Sequence, residues 1–96
     1  MSVYFIIESK VIDKDKYAQY IDKVSPIVKK YGGRYHVRGE AIKAFGSWKP
    51  ERVIVIEFPT KNHVHDWLTS SEYKAIASLR EESAETQAIL VSGYEG

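Results

Sequence analysis

The run Val53-Ile54-Val55-Ile56-Glu57-Phe58 is apolar on both sides of an extended chain, and few arrangements can accommodate it. Successive strand side chains face opposite ways, so Ile54, Ile56 and Phe58 take one face and Val53, Val55 and Glu57 the other. A strand that is apolar on both faces must be covered on both. Pro59 has no amide hydrogen to give a neighbouring strand and ends the run. Val3 to Val11 repeats the pattern, with Val3, Phe5 and Ile7 against Tyr4, Ile6 and Glu8.

The intervening segments show helical spacing. Tyr17, Tyr20, Ile21, Val24, Ile27, Val28 and Tyr31 recur every three or four residues, which predicts an amphipathic helix of about five turns. Asp13 is placed to cap its first amides, Pro26 is expected to kink it, and Gly32 suits the left-handed position just beyond its end. In the strand that follows, alternation sends Tyr35 and Val37 to one side and Arg34, His36 and Arg38 to the other, facing Glu57 across a hairpin. Further on, Thr60 caps a short helix carrying Val64, Trp67 and Leu68, and Thr69-Ser70-Ser71-Glu72 reads as a capping box opening another. That second helix turns Tyr73, Ile76, Ala77 and Arg80 inward and Glu81, Glu82 and Glu85 outward. Gln87 to Tyr94 closes the chain as a strand, Ile89 and Val91 alternating with Leu90 and Ser92.

The order is β-α-β-β-α-β, which predicts an α+β ferredoxin-like sandwich over residues 1–96 as a single domain. Right-handed crossovers place both helical segments on one face of an antiparallel sheet. The other face is expected to carry Tyr4, Ile6, Val53, Val55 and Leu90, an apolar patch too large to leave in water. Covering it with a twofold-related copy, sheet against sheet, predicts a homodimer in the form of a dimeric α+β barrel.

Three spaced motifs carry a family resemblance. Y-G-G-R-Y-x-V-R-G at Tyr31 to Gly39, W-x-P-E-R-x-x-x-I-E-F-P at Trp48 to Pro59 and S-x-E-Y-x-x-x-x-x-x-R at Ser70 to Arg80 together resemble domain-of-unknown-function family 1330. The resemblance spans nearly the whole chain. It implies a dimeric α+β barrel and no established activity; the wider barrel superfamily includes cofactor-free monooxygenases, lactone isomerases and haem-degrading enzymes.

Composition narrows the function classes. A formal net charge of +1 gives no global field to draw nucleic acid or an anionic membrane. The Val53 to Phe58 strand also lacks the glycine-aromatic pattern of RNA-binding sheets, so no nucleic-acid partner is expected. No apolar run approaches the ~20 residues that span a bilayer, and the N-terminus has no signal pattern, so the expectation is a cytoplasmic protein with no membrane partner. With no cysteine, and with His63 and His65 two apart on a helix, no metal site is expected. No glycine-rich phosphate loop appears, so no cofactor is expected either.

The remaining candidates point to a small organic ligand. Arg34 and Arg38 suit bidentate contact with a carboxylate or phosphate, and His36 is of the residue type most often used as a general base. Glu57 faces them, Trp48 on the hairpin loop can act as a lid, and Tyr73 can turn its hydroxyl into a cavity. These residues make a substrate-binding set of Arg34, Arg38, Trp48, Glu57 and Tyr73, with His36 as the candidate catalytic residue. The expected activity is binding or cofactor-free conversion of a small organic acid in a pocket of each subunit. The alternatives are an ion-pair network with a purely structural role and a metabolite-binding module without catalysis.

Overall fold

In a computed structural model describing residues 2–95, seven elements follow one another. They are β1 (Val3–Val11), α1 (Lys14–Lys30), β2 (Arg34–Glu40), β3 (Arg52–Phe58), α2 (Lys61–Thr69), α3 (Ser71–Ser83) and β4 (Ala84–Ser92). The strands form one sheet in the order β2-β3-β1-β4, every neighbour antiparallel. Helices cover one face only. This is the ferredoxin-like sandwich anticipated from the order of elements.

Local chemistry sets the helix ends. The Asp13 carboxylate accepts from the Lys16 amide at 3.1 Å and opens α1, which runs on through Pro26. At its far end Gly33 N–H reaches the Val28 carbonyl and Gly32 N–H the Lys29 carbonyl, with Gly32 at φ 86°. That pairing satisfies two of the helix's orphan carbonyls and needs a residue tolerant of positive φ. A side chain at Gly33 would drive its Cβ to 2.5 Å from Val28 Cγ1, so this glycine lets the strand pass close under the helix.

Thr60 caps α2 as expected, but the cap of α3 is displaced by one residue. Ser70, not Thr69, accepts from the Tyr73 amide, at 3.1 Å. Thr69 instead donates its hydroxyl to the His65 carbonyl and finishes α2. The two helices are separated by Ser70 alone, so one hydroxyl has to end the first and begin the second; it also donates to the Trp67 carbonyl. Glu72, freed from any capping box, pairs with Lys30 and accepts from the Tyr31 hydroxyl at 3.0 Å, tying α3 to the end of α1.

The core lies between the helices and the sheet. Ile54, Ile56 and Phe58 are buried there, and Trp67 stacks on Phe58 with ring centroids 5.4 Å apart while meeting Phe5 and Tyr73 edge-on. The register places Val3, Phe5 and Ile7 beside Phe58, Ile56 and Ile54 on this face.

Two expectations about facing are corrected by the sheet. Leu90 lies opposite Phe5, on the helix side, whereas Ile89 and Val91 lie opposite Ile6 and Tyr4 on the open side. β4 also begins earlier than its alternation suggests, at Ala84, so Glu85 belongs to a strand and not to the outer face of α3. The second correction concerns β2, whose register shifts between Tyr35 and Val37. His36 is the extra residue of a bulge, and an extra residue inverts the facing of everything after it. Val37 therefore pairs with Val55 on the open side and Arg38 with Ile54 on the helix side. The continuous cationic row expected from simple alternation does not form.

Candidate functional site

The bulge at His36 divides the expected site residues between two places. On the open face, His36 Nε2 lies 2.7 Å from Glu57 Oε1, the His36 ring approaches Tyr4, and Arg34 pairs in register with Glu57. The Ser2 hydroxyl first, and His36 next, hold the Glu57 carboxyl below the usual carboxylate range. Trp48 does not join this group. Its Nε1 donates to Glu8 Oε2 at 2.8 Å, and Glu8 sits four residues along β1 from Tyr4, the register partner of Glu57, which is about 13 Å at strand spacing.

Arg38 and Tyr73, by contrast, meet at a cavity of about 270 Å³ between the helices and the sheet. An apolar cavity of ~150 Å³ is enough for benzene, so this one has room for a substituted ring. Its walls are aromatic and aliphatic: Phe5, Tyr17, Tyr35, Trp67, Ile54 and Ile56 among them. Each residue arrives by its period, Phe5 on β1, Ile54 and Ile56 on β3, Tyr17 and Tyr20 on α1, Tyr73 and Arg80 on α3.

The polar groups of this cavity are held in two sets. In the first, Arg80 Nε donates to the Tyr73 hydroxyl at 3.1 Å, and the Tyr73 and Tyr20 hydroxyls lie 3.2 Å apart. Burial above all, then the Tyr73 contact, pushes the Tyr20 phenol well above its ordinary range, so it stays protonated at any working pH. In the second, Arg38 Nη1 donates to Ser25 Oγ at 2.7 Å and its guanidinium lies 4.8 Å over the Tyr35 ring. Tyr35 is likewise raised by burial, against smaller opposing contributions from Ser25 and Arg38.

Among the described residues the cavity lining contains two arginines and no carboxylate. Two of its residues also carry buried polar atoms with no hydrogen-bond partner among the described residues, Trp67 Nε1 and Thr86 Oγ1. A buried polar group normally has a partner. Sequence reasoning placed Arg80 and Trp67 in the core and passed over Thr86. The signal it had was an arginine within an otherwise apolar helical stripe, which a long side chain can also satisfy at the surface.

Sheet order and single-sided helix cover make this a ferredoxin-like α+β protein. More particularly, the chain belongs to the family described as a domain of unknown function, DUF1330, whose model matches residues 2–94. A protein of unknown function from Rhodopseudomonas palustris is similar in structure, with a TM-score of 0.85 at 13% identity, covering 99% of this chain and 84% of that one. SnoaB, a cofactor-independent oxygenase from Streptomyces nogalater, superposes with a TM-score of 0.73 at 8% identity over 99% of this chain and 95% of its own. A dimeric ferredoxin-like protein of unknown function from Jannaschia sp. CCS1 gives 0.76 at 7% identity, over 97% of this chain and all of that one (100%). At such identities the likeness is one of fold. No curated protein matches the sequence. No helix among the described residues is long and apolar enough to cross a membrane.

Proposed function

We propose that the cavity binds a small organic acid without a cofactor, and that the chain works as a homodimer in which each subunit keeps its own cavity. The observation that carries the first part is the lining: among the described residues, an aromatic pocket with two arginines, no carboxylate and buried polar atoms lacking partners. Such a site is short of hydrogen-bond acceptors and of negative charge. A planar acid supplies both, and its apolar body fills the rest. Arg38 and Tyr73 are the ligand-facing members of the set expected from sequence, with Arg80 added. The dimer accounts for the open face, where Val37, Ile89 and Val91 are exposed and Tyr4, Ile6, Val53 and Val55 complete an apolar surface. The dimeric relative of the same fold supports it. Arg34, His36 and Glu57 then belong to the pairing surface.

Conversion of the bound acid is the second reading, favoured by the Arg80-Tyr73-Tyr20 chain, which puts an exchangeable phenolic proton inside the cavity, and by the fold shared with a cofactor-independent oxygenase. His36 faces the open side and is not among the cavity-lining residues, so in this reading the proton chemistry falls to the tyrosines.

A thermal-shift screen of small aromatic carboxylates, with inorganic phosphate as a control, tests the site. A ligand at a hundred times its Kd stabilises the native state by about 2.7 kcal/mol, and that gain should vanish in Arg80→Gln and shrink in Arg38→Ala. If no acid raises the melting temperature of the wild type, the organic-acid reading is wrong.

A further inference from the structure

A second depression lies outside the cavity, between α1 and the strand ends, and three residues line both: Ser9, Tyr17 and Ile21. It is larger, about 740 Å³, and its wall is charged, with Lys14, Asp22, Glu40, Glu51 and Arg52. We propose that Tyr17 is the movable partition between the two spaces and so sets the length of acid the inner cavity accepts; its selectivity rests on the organic-acid reading, its gating does not.

The argument starts from what holds each tyrosine. Tyr20 and Tyr73 are bonded to each other, and Tyr73 to Arg80. Tyr35 lies under Arg38, which is itself anchored to Ser25. Whereas the Tyr35 phenol faces Ser25 and Arg38, the Tyr17 hydroxyl has no hydrogen-bond partner among the described residues. Its ring is only flanked, by Tyr20 with centroids 6.2 Å apart and by the Arg52 guanidinium 5.6 Å above it. The one tyrosine in the shared wall is therefore the one without a tether. Swinging its side chain breaks no hydrogen bond; what it gives up is the burial of its ring, 8% exposed at rest, and the Arg52 contact, against solvation of the phenol.

What lies beyond is suited to receive a ligand's far end. Arg52 Nε is buried without a hydrogen-bond partner among the described residues, so an acid whose aryl ring fills the inner cavity and whose carboxylate reaches past Tyr17 meets a donor in need of an acceptor. The inner cavity is closed by an aromatic ring and the outer space opens on charge. Short aryl acids fit inside with Tyr17 at rest; longer arylalkanoates need it displaced.

Two measurements test this, one of them independent of any acid. In a Trp48→Phe background Trp67 is the only tryptophan. Acrylamide quenching of its fluorescence should be low in the parent and in Tyr17→Phe. It should rise several-fold in Tyr17→Leu, with circular dichroism unchanged; Tyr17→Ala repeats the test with a larger opening if it folds. A folded Tyr17→Leu protein quenched no faster than its parent overturns the partition. Calorimetry with phenylacetate, hydrocinnamate, phenylbutyrate and phenylvalerate then reads selectivity. Tyr17→Leu should improve the longest acid by about tenfold, or about 1.4 kcal/mol, while barely changing the shortest. A uniform change across the ladder overturns the length-setting role and leaves the acid site standing. If quenching rises but no acid binds the wild type, the gate is real and the organic-acid reading, with its selectivity, is lost.

Discussion

Strand β3 presents two apolar faces to two different surroundings. Ile54, Ile56 and Phe58 are 4%, 1% and 0% exposed beneath the helices, whereas Val53, Val55 and Glu57 on the reverse are only half-buried, beside an exposed Val37 and Ile89. The polar groups divide the same way. On the helix side, cavity phenols and guanidinia hold one another, Tyr20 to Tyr73 to Arg80. On the open side polar side chains occupy the ends of the surface, His36 with Glu57 at one and Trp48 with Glu8 at the other, leaving an apolar middle. One face of the sheet has thus completed its packing within the chain and enclosed a pocket; the other has the composition of a face awaiting a match. A sheet apolar on both sides is better explained by two coverings of different origin than by one large core.

The sharpest test of that contrast is to cut into each face separately. Phe58→Ala, under the helices, should cost about 3–5 kcal/mol and remove the stacking partner of Trp67. Chemical denaturation of both proteins at one matched concentration will measure it. Val55→Asp, one register position from the same core, should leave the subunit folded and abolish pairing, because an unpaired charge is costly to bury. Light scattering should then fall from twice the 11.0 kDa chain mass to a single copy. If Val55→Asp unfolds the chain as Phe58→Ala does, or if the wild type already scatters as one copy, the two faces do not differ in the way described.

Smaller effects sharpen the picture. Tyr73→Phe deletes the hydroxyl shared by Arg80 and Tyr20 and should cost about 1–3 kcal/mol in unfolding free energy, because both are left without that partner. Its effect on acid binding should be the greater. The smallest effect concerns acid stability. Glu72 is held down to about 2 from an ordinary value of 4.5, by Lys30 first, then by its own backbone amide and by the Tyr31 hydroxyl. A folded-state pKa below the unfolded one means the stabilisation is whole above about 4.5 and is lost as the pH falls toward about 2. Glu72→Gln should flatten the melting-temperature profile in that window and leave it unaltered at neutral pH in slope. Because the carboxylate is partly exposed to solvent, added salt should weaken the effect.

Much of this molecule follows from short stretches of sequence alone. The caps at Asp13 and Thr60, the glycine closure after Lys30, the two-faced strands β1 and β3 and the order that makes the ferredoxin-like sandwich are each set by a few adjacent side chains acting on their own backbone. What the sequence could not settle is which residues share a place. One extra residue at His36 turns Arg38 from the open face to the cavity, because strand facing has a period of two and a single insertion inverts it. Ser70 outcompetes Thr69 for the cap because two helices meet at one residue, and Leu90 exchanges faces with Ile89 because β4 takes its register from β1. The cavity that gathers Arg38, Tyr73, Arg80 and Trp67 draws on three separate elements whose packing, rather than any spacing along the chain, decides their distances.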